Sequence, residues 1–175
     1  RFIRLPQTKG QLVRVIHGGA DNNIWFVEGA VLYRYDTHTK QIAPYHQPYL
    51  YNVTTLCKTD DGTLWAGGTN GVLAKYDSSH NNFIYYTSDK VLRPANTIES
   101  ICEDKENECL LIGTSQTGLL RFNLRNKQWA AIPLRAGKPQ QAFVRSLLKV
   151  GLREYWIGTE SGLYILNTHT NEIQH

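Results

Sequence analysis

Short apolar runs separated by turn-forming residues dominate the chain. Val144-Arg-Ser-Leu-Leu148, Tyr155-Trp-Ile-Gly158 and Leu163-Tyr-Ile-Leu166 are three such runs in succession, rich in β-branched or aromatic residues. The breaks between runs are turns in composition: Asp60-Asp61-Gly62, Thr69-Asn70-Gly71, Asp104-Lys105-Glu106-Asn107 and Glu160-Ser161-Gly162. Gly71, Gly118 and Gly162 occupy matching turn positions, where a positive φ costs glycine nothing. No segment keeps a 3.6-residue apolar period with caps, so helix is predicted to be nearly absent.

The pattern repeats four times. Twelve residues separate Val13 from Trp25, Val53 from Trp65 and Val144 from Trp156; in the third copy Leu111 stands in for Trp, thirteen residues after Ile98. Tyr35-Asp36, Tyr76-Asp77, Phe122-Asn123 and Leu166-Asn167 are matching pairs, and a large apolar residue follows the Asp or Asn by six positions in every copy: Ile42, Phe83, Trp129 and Ile173. Each unit of roughly 45 residues therefore predicts four short antiparallel strands, the sequence pattern of a β-propeller blade. The fold class is all-β, with about four four-stranded blades. The expected divisions are an outer strand of a preceding blade over 1–12, blades over 13–52, 53–97 and 98–143, and an incomplete fourth over 144–175. The first strand of each unit is apolar on both faces; simple alternation points Val53 and Cys57 one way and Leu56 the other, with Ile98, Cys102 and Ile101 alike. Trp25, Trp65 and Trp156 are expected to fill the wedges between neighbouring sheets, each burying on the order of 200 Å². Four such units with ragged ends read as an open arc, a fragment of a larger ring, because sheets that stack on neighbours need closure or caps.

Composition narrows the function classes. The 175 residues are 41% apolar and 19% charged, the profile of a folded domain. No apolar stretch is long enough for a membrane helix. There is no Met, even at position 1, which reads as a mature product or an excised piece. The formal charge of +4 comes from Lys and Arg scattered singly, so no nucleic-acid partner is expected. Cys57, Cys102 and Cys109 are an odd number, lack metal-site spacing and read as small buried apolar residues. Neither a metal site nor a cofactor is expected. The six His residues are dispersed; His38 and His169 lie at matching turn positions. Lipase, metalloprotease, P-loop and dinucleotide motifs are absent, so no catalytic residue is assigned.

The unit best displayed by Thr63-Leu-Trp-Ala-Gly67 with Gly71-Val-Leu-Ala-Lys-Tyr-Asp77, and by Tyr155-Trp-Ile-Gly-Thr159 with Gly162-Leu-Tyr-Ile-Leu-Asn167, resembles the two-component regulator propeller repeat over about residues 13 to 173. The first copy departs from it with Val27-Glu28 and Ala30, and the third lacks Trp and has an extra residue around Gln116-Thr117. The resemblance implies the periplasmic sensor region of a hybrid two-component system, as in gut Bacteroidetes. There, two seven-bladed propellers and an immunoglobulin-like domain precede one membrane helix, a histidine kinase and a DNA-binding response region. It implies a non-enzymatic segment of an inner-membrane-anchored parent, with an oligosaccharide, the remaining blades and a second copy of the chain (a homodimer) as expected partners. The alternatives are an enzymatic propeller of the streptogramin-lyase type and a protein-interaction scaffold.

Ligand contacts are expected on loops joining one blade's outer strand to the next blade's inner strand, residues 43–52, 87–97 and 133–143, and on the neighbouring turns between second and third strands. Aromatic rings stack on sugar faces while amide, imidazole and guanidinium groups bond hydroxyls. The candidates are Tyr45, His46, Tyr49, Tyr51, Asn96, Arg135 and Arg145, with packing of the tyrosines onto their own blade as the competing role.

Overall fold

The computed structural model describes residues 8–19, 22–45, 49–50, 52–88, 96–134 and 143–175. These form four antiparallel sheets of four strands each, every sheet built from consecutive strands. The first comprises β1 (Val13–Gly18), β2 (Asn23–Glu28), β3 (Val31–Asp36) and β4 (Ile42–Tyr45). The second comprises β5 (Val53–Lys58), β6 (Leu64–Gly68), β7 (Leu73–Asp77) and β8 (Asn82–Tyr86). The third holds β9 (Ile98–Asp104), β10 (Cys109–Thr114), β11 (Leu119–Asn123) and β12 (Trp129–Ile132); the fourth holds β13 (Val144–Lys149), β14 (Glu154–Thr159), β15 (Gly162–Asn167) and the short β16 (Glu172–Gln174). Among the described residues the helical pieces are two single 3₁₀ turns, Thr69–Gly71 and Lys105–Asn107. The strand expected over 1–12 lies in part outside the described residues. Within 8–12 no strand forms; Lys9 and Gln11 instead donate their backbone N–H to the buried Glu28 carboxylate, each at 3.0 Å.

Turn chemistry fixes the ends of the strands. Gly71, Gly118 and Gly162 take φ of 65°, 82° and 125°. The Asp or Asn that ends each third strand caps its own turn. Asp36 Oδ1 accepts the His38 and Thr39 N–H at 2.8 and 2.9 Å, Asn123 Oδ1 those of Arg125 and Asn126 at 2.9 Å, and Asn167 Oδ1 those of His169 and Thr170 at 2.9 and 3.2 Å. His38 and His169 are thus turn residues.

Successive sheets pack face to face, with β1 against β5, β5 against β9 and β9 against β13. Three apolar layers lie between them. The first joins Trp25, Val27 and Leu32 to Leu56, Ala66, Ala74 and Phe83; the second joins Trp65 and Leu73 to Ile101, Leu110, Ile112 and Phe122; the third joins Leu111 and Leu119 to Tyr155, Ile157, Tyr164 and Leu166. Simple alternation fails at one point in every inner strand. The ladder register slips after Val13, Val53, Ile98 and Val144, leaving Arg14, Thr54, Glu99 and Arg145 as extra residues. This β-bulge turns Val53 to the same layer as Leu56, and Ile98 to that of Ile101, while Cys57 and Cys102 face the other way.

The fourth sheet departs from the expected wedge. Trp25 and Trp65 are each 2% exposed and Leu111 is fully buried, but Trp156, at the same position, is 36% exposed. Leu73 and Leu119 are fully buried, whereas their counterpart Leu163 is 48% exposed; Leu148, paired with Trp156, is exposed too. The physical reason is that each of these side chains packs on the following sheet, and no fifth sheet exists among the described residues. At the other end Val13 and Ile16 are exposed, while Phe26 and Tyr33 are buried with stacked rings 5.2 Å apart. The structure is an open arc.

Candidate functional site

The described ends of the blade-joining segments, Asn52, Thr97 and Phe143, lie beside the turns between second and third strands. Thr69 N bonds Asn52 O at 3.3 Å, Ser115 N bonds Thr97 O at 3.0 Å, and Glu160 N bonds Phe143 O at 3.2 Å. Of the seven candidates, His46, Tyr51 and Arg135 lie outside the described residues. The other four sit in four separate environments.

Tyr45 ends β4 and packs between the first two blades, its ring 4.9 Å from Trp25 and 6.1 Å from Tyr76. Its hydroxyl donates to Asn81 Oδ1 and lies 3.4 Å from the Tyr76 hydroxyl. Burial first, then the Tyr76 hydroxyl, raises its pKa to about 12. Tyr49 is exposed, with its ring edge-on to Tyr85 at 5.4 Å. Asn96 is fully buried; its Nδ2 donates to Thr117 Oγ1 at 2.5 Å and its Oδ1 accepts from Gln116 N at 2.9 Å and Ser115 Oγ at 3.2 Å. It braces the third blade's extra-residue turn. Arg145, the bulge residue of β13, lies 3.8 Å over the Phe143 ring and bonds Glu160 at 2.9 Å. Its charge also opposes the burial that raises the pKa of Glu99, the bulge residue one blade back.

Asn96→Ala removes one hydrogen bond from each of three turn groups and should cost about 1–3 kcal/mol in urea unfolding. Retention of full stability would return Asn96 to the list of ligand contacts. Tyr45 is an acid whose folded pKa is raised above 10, so its contribution to stability is present below pH 10 and is lost as pH rises toward about 12. Phenolate absorbance should show Tyr45 among the last tyrosines to ionise, and Tyr45→Phe should flatten the alkaline loss of stability above pH 10.

The structure brings together another set on the opposite face, where the turns between first and second strands meet those between third and fourth. A cleft of about 610 Å³ opens there between the first two blades. Asn23, Trp25 and Arg34 line it from the first blade; Asp61, Tyr76 and Asn81 are among its residues from the second. The Arg34 guanidinium lies 5.5 Å from the Tyr45 ring centroid and 6.0 Å from that of Trp25. One of its N–H groups reaches Tyr76 Oη at 3.0 Å and Asn81 Oδ1 at 3.2 Å, and Tyr76 donates to Asn81 Oδ1 at 2.7 Å. Asp61 Oδ1 accepts from Thr59 Oγ1 at 2.6 Å and Thr63 N at 2.9 Å; these bonds, led by Thr59, hold its pKa below the usual carboxylate value.

The sequence reading missed this set because Arg34 and Asn81 belong to no motif and stand 47 residues apart. The available signal was the Tyr76 hydroxyl, present where the third and fourth copies carry Phe122 and Leu166. Among the described residues no three His, Cys, Asp or Glu side chains are grouped closely enough to hold a metal ion.

No protein-family model matches the chain, and no curated protein does. Solved structures do. The extracellular domain of a B. thetaiotaomicron one-component system is similar with a TM-score of 0.81 at 22% identity, over 97% of this chain and 23% of that one. The extracellular domain of a hybrid two-component system of the same organism gives 0.76 at 19% identity, over 96% of this chain and 24% of that one. Virginiamycin B lyase from Staphylococcus aureus gives 0.75 at 15% identity, over 96% and 56% of the two chains. The chain is thus built of β-propeller blades, and it spans about a quarter of the length of the two signalling domains it matches.

Proposed function

We propose that this chain is an arc of a larger propeller in the periplasmic sensor region of a hybrid two-component system whose parent is anchored in the inner membrane, and that it senses an oligosaccharide. The observation that carries the reading is the fold likeness over 97% of the chain to the extracellular domain of a signalling system, joined to the repeat motif around Trp65 and Trp156. The open face of the fourth blade supports the larger ring. Trp156 and Leu163 are exposed at positions that bury against a following blade in each earlier copy, and Leu148 is exposed at the position where Cys57 and Cys102 pack against one. An exposed apolar patch also suits an interaction scaffold, but this one repeats the blade-packing surface position by position, so its natural occupant is another blade.

Thermal-shift screening of the intact protein against oligosaccharides tests the reading, with hydrolytic and ring-opening assays on streptogramin B in parallel. A saturable shift by a glycan, with the antibiotic unchanged, is expected. Ring opening of the antibiotic without glycan binding would replace the sensor reading with the lyase one.

A further inference from the structure

We propose that the cleft between the first two blades is a binding site for an uncharged oligosaccharide, with Arg34, Asp61 and Asn81 as its polar contacts. This rests on the ligand-sensing reading and adds to it the site, its face and the charge of the ligand.

Size comes first. At about 610 Å³ the cleft holds a ligand of a few sugar rings, inside the ~300–1,000 Å³ of ordinary small-molecule sites. Its wall carries hydrogen-bonding groups of both kinds. Asp61 is held in its turn by Thr59 and Thr63 and presents a carboxylate as acceptor on the cleft wall. Asn81 uses only Oδ1, which takes donors from Arg34, Tyr45 and Tyr76, so its Nδ2 donates to none of them. A carboxylate and a carboxamide lining one cleft suit vicinal hydroxyls, which give and accept in turn.

Charge selects among sugars. The lining holds one guanidinium and one carboxylate, so no cation is in surplus for a sulfate or uronate. Preorganisation favours binding as well. Arg34 is already fixed by Tyr76 and Asn81 across the blade boundary, so little side-chain freedom is lost when a ligand arrives.

The equivalent boundaries differ. Between the third and fourth blades Arg121 reaches Asn171 at 3.3 Å, but Leu166 replaces Tyr76 and brings no hydroxyl. Between the second and third, Lys75 and Lys127 take the places of the Arg and Asn. The combination is thus particular to the first boundary.

The test is calorimetric titration of the intact protein with xylotetraose, mannotetraose and cellotetraose, and with a heparin tetrasaccharide as the anionic probe. Asp61→Asn keeps the turn-bonding Oδ1 and alters Oδ2; Asn81→Asp keeps the acceptor for Arg34 and removes the donor. Glu160→Gln, on the opposite face, is the control. A neutral tetraose should bind the unmodified protein, and each cleft variant should lose about tenfold in affinity with its thermal melt unchanged. Undiminished binding by both cleft variants overturns the cleft and leaves the sensor reading standing, as does a loss with Glu160→Gln instead. Preference for the heparin probe overturns the neutral assignment. No binding of any probe by the unmodified protein overturns the cleft and the sensor reading together.

Discussion

Trp65→Ala is expected to lower the unfolding free energy by about 3–5 kcal/mol, and Trp156→Ala by no more than about 1 kcal/mol, although the two residues occupy the same position in their repeats. Trp65 is 2% exposed and sits among Leu73, Ile98, Leu110 and Phe122, so its removal opens a cavity that two rigid sheets cannot close. The Trp65 ring also lies 5.7 Å from Tyr86 and 5.8 Å from Phe122, contacts that the truncation forfeits. Trp156 faces water on the side where the next sheet would stand, and its indole N–H bonds Glu154 at 2.9 Å within its own strand. Paired urea melts of the two variants measure the difference. Equal losses would mean that the fourth blade's outer face is covered in the folded chain, which the open arc forbids.

The glycines two positions later make the same contrast in the opposite direction. A methyl group added at Gly113 would meet Val144 Cγ1 at 2.6 Å and Val144 O at 3.0 Å, atoms of the next blade's inner strand. One added at Gly67 would meet Ile98 Cγ2 at 2.4 Å and Ile98 Cβ at 2.8 Å. At Gly158 the close neighbour is Ser146 Oγ at 2.4 Å, a hydroxyl that can rotate away, and the next atom is 3.8 Å distant. Gly113→Ala should therefore force blades apart and cost at least about 1–3 kcal/mol. Gly158→Ala should lie within about 0.5 kcal/mol of neutral, because the loss of unfolded-chain freedom offsets the small local adjustment. Thermal melts of the two variants decide it; a severe loss at Gly158 would require a neighbour that the fourth blade does not have.

Much of this architecture was legible because blades repeat. One indole or leucine per unit, a glycine at each turn between second and third strands and an Asp or Asn ending each third strand locate the strands within a residue or two. Those same side chains do the structural work in the fold: Leu111 stays buried where Trp is lost, and Asn167 caps its turn as Asp36 does. The bulges were not legible. The extra residue at Thr54 or Glu99 has no compositional mark, and only the paired strand reveals that Val53 and Leu56 share a face. The candidate site was read less well. Tyr45 looked like a loop aromatic, but it ends a strand and packs on Trp25, while Asn96 looked like a hydroxyl donor and braces a turn. The cleft arises from side chains of two blades, and residue spacing within one repeat carries no record of which groups meet across a boundary. Val27-Glu28, which breaks the repeat, marks the place where Glu28 anchors the segment before β1 through Lys9 and Gln11.

Fluorine NMR of the monomeric protein labelled with fluorotryptophan, with a soluble paramagnetic agent added and resonances assigned by single Trp→Phe changes, tests the open arc most directly. Strong broadening of the Trp156 signal is expected, with protection of Trp25 and Trp65. Protection of Trp156 equal to that of Trp65 would contradict the open arc, because the four sheets would then have to close on one another.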